Sequence, residues 1–502
     1  MGKKLELKID DFRGGISNDL RSSDTRRYAL TKHLDAFTFP HKLVPYFKTE
    51  AIEDKTFNIV KFAYVPSSNR LYGLGVNPAA SPTVRLYYLS GTTWTAVTGG
   101  TASTSNRSEN VLFHYKGFLY VWRDDVLMRY EIASETFTDN YQSLSWANNV
   151  ATPVHHPNDD IAYFFRDNVV DKLDNTSFSS AVLTLPSNLV ITSACPHGNY
   201  LAIACIDGPI TNAKNSVVYL WDRDSSITTL SDRIDFGPGR IHHLANLNGR
   251  LTAVMDFNLS ELYPRKVIIK QAVGPFGVTV NEIITNNSQG YVYSVTNGEG
   301  VASCNSVVSD DRLYFAAHLP TAGDTRLGIW VVDSEGRVSL DFIEEEATNT
   351  GGVAFQGIYK LDNTWWIAHS NDGSVNRTDD NAAYSITNPG IYESLILNFG
   401  DSSKKKKLLS VSVMTEPLPT SAGTTEIQID YRKDEDINGG SYTTIFEELT
   451  DNSISHTAIN IESTGVTLPT FKEIQFRVQM ISGAVMTGLK VKVEEIDDDI
   501  IS

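Results

Sequence analysis

One short pattern recurs seven times between residues 65 and 370, and it leaves this chain few folds to choose from. Each copy is a polar turn followed by an apolar or aromatic burst. The copies are Ser68-Asn69-Arg70-Leu71-Tyr72-Gly73-Leu74, Lys116-Gly117-Phe118-Leu119-Tyr120-Val121-Trp122 and Asn158-Asp159-Asp160-Ile161-Ala162-Tyr163-Phe164. His197-Gly198-Asn199-Tyr200-Leu201-Ala202-Ile203 and Asn248-Gly249-Arg250-Leu251-Thr252-Ala253-Val254 follow. Asp310-Asp311-Arg312-Leu313-Tyr314-Phe315-Ala316 and Asp362-Asn363-Thr364-Trp365-Trp366-Ile367-Ala368 complete the set. Aligned on positions 71, 119, 162, 201, 251, 313 and 365, the spacings are 48, 43, 39, 50, 62 and 52 residues. A four-stranded propeller blade needs about 40–50 residues.

The chemistry of the repeat fits that reading. Asn-Gly, Asp-Asp and Asp-Asn tolerate the positive φ of tight hairpin turns, so each copy is a turn feeding a strand. The strand is apolar at nearly consecutive positions, as expected of an inner strand covered on both faces by neighbouring blades. A second apolar segment follows the first in each unit, for example Arg85–Gly91, Val217–Asp222 and Leu327–Asp333. These segments predict the outer hairpins. A β-solenoid needs a shorter period, and a sandwich does not repeat seven times. The expected fold is all-β: a seven-bladed β-propeller over residues 51–388.

Both ends depart from the repeat. Residues 1–50 read as an extended N-terminal arm, with a flexible turn at Asp11–Ile16 and a short helix or extended stretch from Tyr28 to Thr38. Residues 389–502 alternate strictly in Thr425–Tyr431, Glu473–Val478 and Leu489–Glu494. Such alternation means one wet face, so this part reads as an antiparallel β-sandwich. The run Lys404–Lys407 is placed in a solvated loop between two of its strands.

Composition narrows the function classes. The 502 residues carry 43 Lys plus Arg against 60 Asp plus Glu, a formal charge of −17. A partner that must neutralise phosphates needs the opposite balance, so no nucleic acid is expected. Residues 1–50 hold ten basic and seven acidic side chains. This slightly basic leader is either plainly solvated or a contact for the acidic face of a neighbouring copy. No run of 18 apolar residues occurs, so no membrane partner is expected. Cys195, Cys205 and Cys304 are odd in number and lack metal-ligand spacing, which predicts buried free thiols.

Catalytic motifs are sparse. There is no Gly-x-Ser-x-Gly elbow, no phosphate-binding glycine loop and no His-Glu-x-x-His. His155-His156 and His242-His243 are neighbours on strands, so each pair points to opposite faces and cannot chelate one metal alone. Asp159-Asp160 and Asp310-Asp311 occupy repeat turns, where turn chemistry accounts for them. Ser370-Asn371-Asp372-Gly373 resembles a sialidase turn but has its glycine misplaced and no following tryptophan. No cofactor, metal or enzymatic activity is expected. The aromatic residues fall mainly in core strands, leaving Trp94 and Trp146 as the positions where a sugar platform could be exposed.

Against this layout, Phe12-Arg13-Gly14-Gly15-Ile16-Ser17-Asn18-Asp19, Lys32–Phe37 and Lys42–Tyr46 resemble the leader of virion proteins of tailed bacteriophages. The closing module, with Leu397–Asp401 leading into Lys404–Leu408, looks like modules common in phage tail and neck components. The resemblance implies a non-enzymatic structural protein of the tail or neck, built in the host bacterial cytoplasm. Its implied partners are other virion proteins and copies of itself in a ring or array. The leader would dock through Arg13, Arg26, Arg27 and Lys32, and deleting residues 2–45 would leave a folded propeller. The alternative is a tail protein that recognises a host-surface glycan.

Overall fold

In the computed structural model the repeats become seven four-stranded antiparallel sheets. The structure describes residues 2–496 except 52–57, 78–82, 104–110, 148–149, 208–214, 225–231, 258–265, 274–276, 285–305, 322–323, 345–354, 370–374, 379–388, 419–426, 449–456, 459–467 and positions 18, 40, 48, 124, 363, 439 and 482. Six sheets are consecutive in sequence: blade 1 spans 58–103, blade 2 111–143, blade 3 150–184, blade 4 189–238, blade 5 240–284 and blade 6 307–344. Blade 7 takes three strands from 355–378 and its fourth, Thr49–Ala51, from the leader, paired antiparallel with Val375–Thr378. First strands of successive blades adjoin one another, blade 5 meeting blade 6 through Arg312–Thr321, and Phe355–Leu361 returns to Asn58–Val65. The ring is thus a β-propeller closed by the chain's own beginning.

The turns obey the positive-φ argument. Asn69, Lys116, Gly117, Asp160, Gly198, Asn248, Gly249, Asp310, Asp311 and Asp362 all adopt it. The apolar bursts, however, form the second strand of each blade rather than the innermost one. A neighbouring blade covers each face of a second strand, so Ile161–Phe165 and Leu201–Ile206 are buried throughout. The first strands lie toward the axis and keep exposed positions, as in Val150–His156.

Among the described residues, Leu34–Asp35 and Val44–Pro45 pair as a two-stranded ribbon, and the other remaining strands make two sheets over one core. The first runs Lys4–Ile9, Met486–Ile496, Lys405–Thr415, with Thr457–Ala458 and Thr470–Phe471 both against the last. The second runs Gly15–Ile16, Arg27–Lys32, Gly390–Ser394, Ile474–Met480, Ile427–Lys433 and Thr443–Glu448. Val411, Val413, Leu489 and Val491 from one sheet and Ile427, Ile429, Phe476 and Val478 from the other share a single apolar cluster.

Here the structure departs from the expectation of a separate arm over residues 1–50. Lys4–Ile9 pairs with Met486–Ile496, Arg27–Lys32 takes the extended one of its two expected forms and pairs with Gly390–Ser394, and Thr49–Ala51 belongs to the propeller. Phe12, Tyr28, Leu34 and Leu43 are fully buried in the cluster that also holds Phe342 of blade 6 and Trp365 of blade 7. The Gly14-Gly15 pair is rigid by necessity. A Cβ on Gly14 would meet the Arg26 backbone at 2.5 Å, and Gly15 has φ +76° against Val338 of blade 6. The lysine run also differs: Lys405–Lys407 opens a strand, and Lys406 is buried, its ammonium donating to the carbonyls of Asp401, Lys404 and Lys472.

Candidate functional site

The leader carries the unit Asp-x-Arg three times, as Asp11-Phe12-Arg13, Asp19-Leu20-Arg21 and Asp24-Thr25-Arg26. In the first and third the guanidinium grips the aspartate two residues earlier with two parallel bonds, whereas Arg21 donates both of its bonds to Glu473 (3.0 and 3.0 Å). Arg13 Nε and Nη2 donate to the Asp11 carboxylate at 2.9 and 2.7 Å, and Arg26 does the same to Asp24 at 3.0 and 3.0 Å. The side-chain bond from Arg13 holds Asp11 down at a pKa of about 2, and Arg26 lowers Asp24 likewise. The parallel pairing of Gly15–Ile16 with Arg27–Tyr28 and the bond from Gly14 N to Arg26 O (3.1 Å) set the first and third units side by side.

A third pair stands nearby on the outer turn of blade 6. Arg337 donates to Asp333, with Glu335 3.3 Å from Arg337, and Glu335 acts electrostatically on both Arg13 and Arg26. The patch is therefore a set of internally matched ion pairs and not a basic surface. Of the four residues expected to dock a partner, Arg13 and Arg26 sit here with their side chains 43% and 60% exposed. Arg27 is half-buried and donates to Ser17 Oγ at 3.3 Å, and Lys32 lies at the far end of its strand. The sequence reading missed Asp333, Glu335 and Arg337. The Asp-x-Arg spacing allows the pairing of Arg13 and Arg26 but does not dictate it, because Arg21 has the same spacing from Asp19 and pairs with Glu473.

The strongest concentration of titratable groups is the turn of blade 3, where the two aspartates face different neighbours. Asp160 takes Lys116 Nζ from blade 2 at 2.7 Å and His155 Nε2 at 2.8 Å. Asp159 accepts from Arg223 of blade 4 at 2.6 Å and from Tyr163 OH at 2.9 Å. His156 is fully buried; burial lowers its pKa, so Nδ1 accepts from Arg223 at 2.9 Å while Nε2 donates to Tyr200 O at 3.1 Å. A buried imidazole cannot reach a substrate. The turn is a clasp across three blades.

A second polar group lies under the leader. Tyr46 donates to Asp341 of blade 6, and Lys360 of blade 7 donates to Tyr314 at 3.2 Å. Burial, then the nearby Asp35 charge, raises Asp341 to about 7. Arg312 donates to Thr38 and to the Phe37 carbonyl, both at 2.8 Å.

Elsewhere, Cys195 and Cys205 are buried free thiols whose pKa values burial pushes up, while Cys304 and Ser370–Gly373 fall outside the described residues. His243 is buried and held near 3 by desolvation. Among the described residues, no three His, Cys, Asp or Glu side chains gather as a metal site, and no helix is long and apolar enough to cross a membrane. Trp94, expected as an exposed aromatic, is buried in blade 1, and Trp146 is half-buried against the blade 2–3 core.

No family model and no curated protein matches this sequence. Among solved structures, the chain is similar to the β-propeller domain of Cps50 (Swd1) from Myceliophteria thermophila. That likeness has TM-score 0.42 and 11% identity, over 66% of this chain and 98% of that one. It is similar also to U3-55K (TM-score 0.43, 9% identity, 66% and 98% covered) and to the N-terminal domain of Nup159 (0.39, 11%, 69% and 98%). At these values the likeness concerns the propeller fold only.

Proposed function

We propose that this chain is a non-enzymatic structural protein of a tailed-bacteriophage virion, placed in the tail or neck. The observation that carries the reading is the path of the leader. It supplies one strand to the first sheet of the sandwich, two to the second and the closing strand of the propeller, so propeller and sandwich are tied through one stretch of chain. A component that transmits load between neighbours needs that kind of body. The resemblance of Phe12–Asp19, Lys32–Phe37 and Lys42–Tyr46 to phage virion leaders gives the reading its setting. In this view the leader is not a detachable arm. It offers the exposed guanidinium edges of Arg13 and Arg26 from a fixed surface, with the half-buried Arg27 and Lys32 at the two ends of one strand.

The glycan-reading alternative draws less support, because six of the seven tryptophans are buried and the seventh is half-buried. Antibody labelling of intact particles under the electron microscope separates the readings. Label at the neck or along the tail is expected. Label confined to the distal tip favours glycan recognition, and unlabelled particles from a lysate rich in the protein overturn the virion reading.

A further inference from the structure

The strand Lys4–Ile9 forms an outer edge of its sheet, and among the described residues nothing pairs with its far side. Its register with Met486–Ile496 matches Lys4 to Glu494 and Ile9 to Leu489. The bond from Glu495 N to Lys3 O (3.0 Å) marks the Lys3–Glu495 pair as hydrogen-bonded. Hydrogen-bonded and non-bonded pairs alternate along an antiparallel ladder. Leu5, Leu7 and Ile9 therefore turn their N–H and C=O groups inward, and Lys4, Glu6 and Lys8 turn theirs to the open edge.

Open edges invite pairing, and proteins commonly guard them with lysines. This edge instead alternates sign: Lys4, Glu6, Lys8, Asp10. We infer that a second copy of this chain docks here, strand Lys4–Ile9 against its own mate, antiparallel about a two-fold axis at Leu7. In that register Glu6 of each copy faces Lys8 of the other, and Lys4 faces Asp10. Every facing pair is then opposite in charge, and the residues facing one another are those whose backbone groups point outward. Moving the axis to Glu6 sets Glu6 against Glu6 and Lys4 against Lys8. Moving it to Lys8 sets Lys8 against Lys8 and Glu6 against Asp10. Like charges directly opposite destabilise a pair. An axis at Leu5 or Ile9 avoids them but keeps only one kind of opposite pair, Lys4 with Glu6 or Lys8 with Asp10, so the Leu7 register matches the most charges.

Packing agrees with the backbone parity. Leu5 and Leu7 are only part-buried against the sandwich core. Across the axis each Leu7 would lie beside its mate, continuing the core from one sandwich into the next. The charges are accessible for this: the Glu6 and Lys8 side chains are 49% and 51% exposed, and their existing contacts, Glu6 to Lys490 and Lys8 to Asp10 (both 2.7 Å), lie at the surface.

This pairing rests on the structural reading above and deepens it by naming one partner, yet the two fail separately. Particles without label would sink the virion reading and leave the pairing intact. The test is sedimentation velocity on the full chain over a range of concentrations, with circular dichroism to confirm folding. Wild type is expected to show a dimer. Glu6→Lys and Lys8→Glu should each weaken it at least about ten-fold, since two facing pairs become like-charged. The double variant E6K/K8E restores opposite charges and should recover the dimer. Leu7→Cys should give a disulfide joining position 7 of the two copies, mapped by mass spectrometry. A wild type that stays monomeric at its highest soluble concentration overturns the inference. So does a dimer indifferent to both charge reversals, or a double variant that fails to recover.

Discussion

Removal of residues 2–45 discriminates between a leader that decorates the fold and one that builds it. Six large apolar side chains would leave the core: Ile9, Phe12, Tyr28, Leu34, Phe37 and Leu43, none more than 7% exposed. Full burial of such a side chain stabilises by roughly 1.5–3 kcal/mol. Together these side chains contribute ~10–20 kcal/mol, against a total stability of about 5–15 kcal/mol for a typical domain. The bonds of Tyr28 OH and Thr31 Oγ1 to Ser339 (3.0 and 2.8 Å) are lost as well. The sandwich strands between 390 and 496 should therefore unfold. The propeller should persist, because Thr49–Ala51 is retained to close blade 7.

Limited proteolysis read by mass spectrometry, beside calorimetry of the same variant, follows the two parts independently. Cleavage throughout 390–496 with a protected 58–378 is the expected pattern. Arg13→Ala and Arg26→Ala serve as controls, since exposed ion pairs contribute only about 0–1 kcal/mol. If the deleted chain keeps 390–496 protected and melts like wild type, the leader is a decoration and the burial argument is wrong.

Two further outcomes follow from single buried groups. Asp341 has its pKa raised to about 7 in the fold, so it stays neutral where the unfolded chain has already ionised. Its stabilising effect is complete below about pH 4, falls as pH rises toward 7 and then levels off, by at most ~4 kcal/mol. Asp341→Asn should remove that decline, and chemical denaturation of both proteins at pH 5 and 8 checks it; parallel pH curves refute the assignment. Lys406→Met leaves three carbonyls without their cation and should cost ~2–4 kcal/mol, whereas Lys407→Met, at an exposed position, should stay within about 0.5 kcal/mol. Equal losses in urea unfolding would count against the caged ammonium.

The propeller was legible because its information is local. Each blade repeats a turn with positive φ and an apolar strand, and both are written within about ten residues of each other. The order of strands within a blade was less legible: burial by two neighbouring blades, not proximity to the axis, makes the second strand the most apolar. Lys406 was not within reach of the sequence. Side chains two apart share a face, so extending the alternation of Leu409, Val411 and Val413 backward puts Lys407 on the core side. A register shift between Leu408 and Ser410 reverses the phase and buries Lys406 instead.

The leader shows where such reading stops. Leu5 pairs with Val493 and Tyr28 with Ser394, and nothing in either short stretch specifies a partner hundreds of residues away. Residues 1–50 do carry the correct half of the information, because Leu5-Glu6-Leu7-Lys8-Ile9 alternates as a strand with one dry face must. A lone alternating strand cannot bury that face, so it demands a sheet, and the closing module carries strands written in the same period. The same logic reaches past the single chain. Once Met486–Ile496 satisfies one side of Lys4–Ile9, the backbone groups of Lys4, Glu6 and Lys8 on its other side are paired by no described strand, and a second copy of the strand, whose charges alternate in sign, is the partner proposed for them.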